Sequence, residues 1–193
     1  MTSPSPARST RARTPVCWVR IEGGICRFGD AARPIRVKTL EWTQTVITYA
    51  HLGRGGEDRP LTGLSQPAAA RIAQELGARL PRSVEWEWAA AGPHRRTYPW
   101  GEEEPTADRA NLRQGIGQPA PVRSFLQGAT PDGLLQMAGN VWEWTSSTVL
   151  GGGFVLRGAS FTSPALYAKT TFLNAAPAEL ESAGIGLRMV REP

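Results

Sequence analysis

Met137-Ala138-Gly139-Asn140-Val141-Trp142-Glu143-Trp144-Thr145 is the stretch on which the fold turns. Its run from Val141 to Trp144 is short, aromatic and led by a β-branched residue, which is the composition of a strand in a small sheet. Two more apolar runs of strand length follow, Phe154 to Leu156 and Gly186 to Val190. Immediately upstream, Pro93 to Pro131 is rich in Gly, Pro and polar residues without a sustained period. So long an irregular stretch inside a domain is usually ordered by function or by a metal.

Farther out, the periodicity changes. Ser65 caps a helix with Pro67 in its first turn, a buried face of Ala69, Ile72, Ala73 and Leu76, and Gly77 past its end. A second short helix is expected from Ser83 to Ala91, capped by Ser83, with Glu85 favourably placed in the first turn and Gly92-Pro93 as its stop. Leu40 to Leu52 carries Trp42, Val46, Tyr49 and Ala50 near helical spacing and reads as a helix closing on Gly53. Val16 to Val37 alternates apolar and polar residues around Gly23-Gly24 and reads as two strands joined through a turn. Helices early and strands late predict an α+β architecture.

The 193 residues suit one domain, and 40% hydrophobic residues with seven Trp provide for a sizeable core. Residues 1–15 hold Pro, Ser and Arg with almost nothing to bury, so they are expected as a disordered arm before a domain over 16–193. The net charge of +5 is spread singly along the chain, the pattern of a solvated basic surface, and no nucleic-acid partner is predicted. Cys17 and Cys26 lack metal-ligand spacing and read as reduced thiols; a short-loop disulfide would need an oxidising compartment. No run spans a bilayer and no apolar leader opens the chain, so the expectation is a cytoplasmic protein, or one exported without a recognisable signal, and no membrane insertion.

The central motif does not stand alone. Arg79-Leu80-Pro81, Glu85-Trp86-Glu87-Trp88-Ala89-Ala90, Tyr98-Pro99-Trp100-Gly101, Asn111-Leu112, Pro121-Val122, Val155-Leu156-Arg157-Gly158-Ala159-Ser160-Phe161 and Gly184-Ile185-Gly186-Leu187-Arg188 stand around it in order. Together they resemble the formylglycine-generating enzyme, or sulfatase-modifying factor, family, a divergent C-type lectin-like fold. The resemblance runs from about Val19 to Arg191 and implies a loop-rich domain in which aromatic anchors and tight turns replace long regular elements.

What the resemblance implies for chemistry is weighed against the residues present. The formylglycine enzymes hold copper with two cysteines after their Arg-Gly-Gly-Ser-Trp motif, and a soft Cu(I) site needs thiolates. The related iron-dependent sulfoxide synthases take three histidines from an additional helical domain. Between Arg157 and Arg188 this chain has neither Cys nor His, and His51 and His94 are its only histidines. The expectation is therefore a protein that is not an enzyme, with no copper or iron. An oxidase acting on a peptide cysteine or thiol is the alternative.

The family's calcium-binding turn implies a structural calcium ion held by Gln136, Gly139, Val141 and Glu143, all oxygen donors as a hard cation requires. The competing reading buries Glu143 against an arginine such as Arg157.

Departures from the family pattern cluster between 161 and 184. Thr162, Ser163, Leu166, Tyr167, Leu180, Ser182, Ala183 and Gly184 stand at asparagine-type positions, Asn174 is retained, and Phe172 belongs with the set. Substitution at the two adenines of an AAC codon yields these residue types. The pattern resembles the variable proteins of diversity-generating retroelements. It implies a diversified C-terminal surface that binds an unidentified ligand, expected to be a protein, through apolar area from Tyr, Phe and Leu and adaptable hydrogen bonds from Thr, Ser and Asn.

Overall fold

The computed structural model describes residues 13–55, 58–113 and 115–193. Most of the expected arm over 1–15 lies outside them; Thr14, inside, donates its N–H to the Ala50 carbonyl at 3.0 Å.

Strands β1 (Trp18–Ile21), β2 (Gly24–Phe28), β3 (Arg33–Val37) and β4 (Leu40–Thr43) come first. The alternation seen between Val16 and Val37 is thus three strands, and the glycine pair joins two that do not pair with each other. β1 runs antiparallel to β4, with Ile21 opposite Leu40, while β2 and β3 form a separate hairpin, with Cys26 opposite Ile35. The helix expected over Leu40 to Leu52 is a strand followed by one 3-10 turn, Ala50–Leu52, that closes on left-handed Gly53. Trp42 and Val46 fit a helical face, but backbone partners on both sides decide: β4 is the central strand of a three-stranded sheet.

Helix α1 (Gln66–Glu75) follows the backbone cap at Ser65, with Pro67 in its first turn, and buries Ala69, Ile72 and Ala73; Leu76 is partly buried at its C-cap. Helix α2 (Ser83–Ala91) has the expected bounds, but its cap lies one residue earlier than expected. Arg82 is the cap, its N–H donates to Glu85 Oε2 at 2.7 Å, and Arg79 and Arg82 clasp the same carboxylate. All nine residues of α2 are buried, because the helix is wedged against β2, β3, β5 (Trp142–Thr148) and β6 (Phe154–Arg157).

From residue 93 to 131 the described chain is irregular apart from one 3-10 turn, Leu126–Gly128. Two amides hold it to the central motif. Asn140 Oδ1 accepts the Ala120 N–H at 2.7 Å and its Nδ2 donates to the Ala120 carbonyl at 3.1 Å, while the Asn140 N–H donates to the Asn111 carbonyl at 2.8 Å. Backbone groups of a loop that find such partners can be buried without a regular ladder.

The remaining strands are β7 (Leu173–Ala176), β8 (Ile185–Gly186) and β9 (Val190–Arg191). β7, β6, β5 and β8 make a four-stranded sheet in that order, with β8 parallel to β5. The run Gly186 to Val190 is divided: Gly186 ends β8, whereas Val190 crosses to the other sheet and pairs with Trp42 of β4. Trp144 anchors one core cluster with Leu187 and Ile72; Trp42 and Trp86 anchor a second with Met137. Truncating any of these fully buried rings to alanine would cost about 3–5 kcal/mol. The architecture is α+β, as the sequence predicts. No helix among the described residues is long and apolar enough to cross a membrane.

Candidate ligand-binding groove

The Arg157-Gly158-Ala159-Ser160 turn carries the chain from β6 onto the molecular surface. Gly158 has φ +94, and a Cβ there would approach the Met137 carbonyl to 3.0 Å and the Trp86 ring to 3.2 Å, so only glycine turns the chain here without strain. Beyond it the hydroxyls interlock. Ser160 Oγ lies 3.0 Å from Thr162 Oγ1, and the Ser160 N–H donates to Ser163 Oγ at 3.0 Å.

Arg157 itself points inward and is fully buried. Its Nη2 donates to Glu87 Oε2 at 2.6 Å and to the Thr170 carbonyl at 3.0 Å. Its Nη1 donates to the carbonyls of Thr171 and Phe172 at 3.2 and 2.9 Å. One side chain therefore fixes three consecutive peptide units just before β7. The guanidinium also sits 5.1 Å from the centre of the Trp86 ring, a cation–π contact. Phe172, held in this way, stacks on Tyr167 with ring centres 4.1 Å apart, and both lean on Trp142 at 6.3 and 6.2 Å.

Next to this aromatic group is a groove of about 230 Å³. Thr162, Asn174, Leu180, Ser182 and Gly184, from the segment read as variable, line it together with Trp142, Leu156, Ser160 and Ile185 of the frame. Ser182 Oγ accepts the Gly184 N–H at 3.1 Å, and Asn174 Oδ1 accepts the Ala175 N–H at 2.9 Å. Among the described residues no charged side chain lines the groove, which suits a neutral hydrogen-bonding group resting on apolar walls.

The other segment residues are placed differently. Tyr167 and Phe172 are half-buried against the core and support the groove through Trp142 rather than lining it. Ser163 is buried, its hydroxyl used within the turn, while Leu166 and Ala183 are exposed outside the groove. Sequence reasoning missed Ser160 and Trp142 as lining residues. Ser160 had a signal, its position immediately before the varied residues; Trp142 lay inside a motif that reads as scaffold.

The two side chains of the expected calcium turn, Glu143 and Gln136, are held by other groups. Both oxygens of buried Glu143 engage Arg188, at 2.9 to 3.1 Å, and Oε2 also accepts from Trp86 Nε1 at 2.7 Å. Arg188 in turn donates to the carbonyls of Thr43, Gln44 and Leu135. The arginine pairing weighed for Glu143 is present, with Arg188 rather than Arg157 as partner. Gln136 donates to the carbonyls of Pro121 and Ser124, and its Oε1 accepts from Asn140 at 2.6 Å. Gly139 and Val141 flank Asn140 in the same turn. As arranged, the set does not fit a calcium ion, because a cation would have to displace Arg188 from Glu143.

Cys17 is exposed and Cys26 buried, both free. Burial, with the Glu87 carboxylate nearby, pushes the Cys26 thiol up to about 11, so it stays protonated and unreactive at neutral pH. His51 is buried and its Nδ1 accepts the Thr48 N–H at 3.1 Å; burial holds its pKa below the ordinary imidazole value. His94 is exposed in the turn after α2. Among the described residues no three or more His, Cys, Asp or Glu side chains come together as a candidate metal cluster.

Residues 32–193 match the model of the sulfatase-modifying factor enzyme 1-like domain. The hercynine oxygenase of Mycobacterium tuberculosis is 44% identical over 108 residues, covering 54% of this chain and 25% of that protein. The formylglycine-generating enzyme of Streptomyces coelicolor is 36% identical over 143 residues, covering 67% of this chain and 40% of that one. Among solved structures, the fold is shared with PvdO from Pseudomonas aeruginosa (TM-score 0.77, 17% identity, 91% of this chain and 94% of that one). It is shared equally with Treponema denticola variable protein 1 (TM-score 0.76, 17% identity, 91% and 95%). The chain spans about a quarter of the length of the hercynine oxygenases it matches.

These relatives correct one expectation. The missing cysteine pair argued against an enzyme, yet curated proteins 40 to 44% identical over about half of the chain are named oxygenases, and that finding overturns it. A redox site whose ligands come partly from elsewhere leaves no trace in one domain's cysteines. With the family model matching residues 32–193, this chain belongs to the sulfatase-modifying factor enzyme 1-like domain family.

Proposed function

We propose that this chain is the substrate-recognising domain of an oxygenase-class enzyme and that the groove beside Trp142 receives the substrate. The observation that carries this reading is the convergence of Thr162, Asn174, Leu180, Ser182 and Gly184 on one groove in a domain 44% identical to part of a hercynine oxygenase. Residues that depart from the family pattern gather where a substrate would be distinguished. The frame that holds them is Arg157 with Glu87 and the aromatic group on Trp142. A redox metal would supply the oxygen chemistry. This chain's share is to seat the substrate's neutral portion against Trp142 and Leu180, offer it the Ser160, Thr162 and Ser182 hydroxyls, and exclude water from that contact.

The test measures oxygen uptake and calorimetric binding with hercynine and a simple thiol, in the presence of iron or copper. Saturable binding, lost in Leu180→Arg, is expected. Neither binding nor substrate-dependent oxygen uptake with either metal would sink the reading.

A second reading, favoured by the same clustering, is that the segment 161–184 is diversified by a retroelement so that the groove varies its ligand. It predicts a nearby reverse transcriptase gene and an imperfect copy of these codons differing only at adenines. Without such a copy the idea falls.

A further inference from the structure

We infer that the chain carries a second ligand site, a cavity of about 410 Å³ that takes a small carboxylate with an apolar body. The stretch from Ser160 to Ala165 borders both cavities. Ser160 and Thr162 line the groove beside Trp142, whereas Ser163, Pro164 and Ala165 line the larger cavity, and the two share no lining residue. Buried Ala110 and half-buried Leu112 line the larger cavity together with Pro105, Ala107, Pro164 and Ala165. These surfaces are apolar and small, so a ring or branched chain fits against them and gains from leaving water.

One charge serves this cavity. Among the described residues Arg113 is its only ionisable lining residue. Its Nε donates to the Thr162 carbonyl at 3.2 Å and its backbone N–H to the Ser163 carbonyl at 3.0 Å, which tethers it to the turn at two points. Among the described residues the two terminal nitrogens of Arg113 have no hydrogen-bond or ion-pair partner. A guanidinium fixed through Nε presents its remaining N–H donors as a planar fork, the geometry that matches a carboxylate. An apolar cavity with one such fork selects an amphipathic monocarboxylate over either a neutral hydrocarbon or a bare anion. Arg113 thus lies beside the other groove, which Thr162 lines, without lining it itself.

The test uses 3-phenylpropionate, its primary amide and acetate as probes, with calorimetry and thermal shift on the full chain. The acid should bind saturably, with the amide and acetate each weaker by about tenfold or more, the loss of one charge-assisted contact or of the apolar body. Arg113→Met should remove the preference for acid over amide, and Ala165→Trp, at an exposed position, should fill the cavity and abolish binding of both. Equal binding of acid and amide to the wild-type chain, unaltered acid binding in Ala165→Trp, or no saturable binding of the acid overturns the inference. Leu180→Arg, which blocks the other groove, should leave phenylpropionate binding intact, so the failure of one site is distinguished from failure of the other.

Discussion

Arg157 Nη2 and Glu87 Oε2 lie 2.6 Å apart with both side chains almost wholly shut off from water. The pair joins α2 to the end of β6, and through the arginine's other donors it sets the path of residues 170–172. Glu87→Ala would strand the guanidinium in the core and is expected to destabilise the fold by about 3–5 kcal/mol. Glu87→Gln keeps an acceptor and should cost less. Urea denaturation measures both. The Ala variant should also lower the Cys26 thiol pKa, because the Glu87 carboxylate is one of the causes that raise it, and thiol alkylation against pH reads that shift.

His51 makes stability depend on pH. Its folded pKa lies below the unfolded value because burial disfavours the imidazolium, and Nδ1 must stay unprotonated to accept from Thr48. The unfolded chain therefore takes up the proton first. The neutral imidazole's contribution is present in full above about pH 6.5, the ordinary value, and is lost as the pH falls through the lower folded pKa. Melting temperatures measured down to pH 5 should decline more steeply for the wild type than for His51→Asn, which retains a side-chain acceptor but does not titrate. Parallel profiles would remove His51 as the cause.

Glu143 and Arg188 decide whether the central turn needs a cation. With the carboxylate already neutralised by Arg188, a calcium chelator should leave the melting temperature unchanged to within about 1 °C, since no bound ion contributes to folding by mass action. Arg188→Met should destabilise strongly, by about 3–5 kcal/mol, for the reason given for Glu87. If added calcium raises the wild-type melting temperature and Glu143→Gln cancels the rise, the turn is a cation site after all.

The sequence was most legible where a motif combined pattern with chemistry. Both helices were readable to within a residue at their starts, since Pro67 and Glu85 mark first turns by mechanism rather than by average preference. The four-stranded sheet was readable in β5 and β6 but not in β7, where Leu173-Asn174-Ala175-Ala176 has no β-branched residue and exists as a strand because β6 offers it a ladder. Leu40 to Leu52 failed for the same reason: spacing of apolar residues was compatible with two structures, and distant partners chose between them. Half of the groove was visible as departures from a family pattern. The other half, Ser160, Trp142 and Ile185, could not be separated from scaffold, because those side chains serve both roles.

The crossing of the chain from β8 to β9 bears on the order of folding. Glu41 pairs with Arg191 and Trp42 with Val190, and the first of these contacts joins residues 150 positions apart. Closure of so long a loop is entropically costly and slow, so the third strand of the first sheet is expected to join late in folding. On the ribosome, β4 must wait with one edge open until residue 191 has emerged. During that interval β4 is paired with β1 alone, and its open edge offers the nascent chain a site for strand pairing with its neighbours.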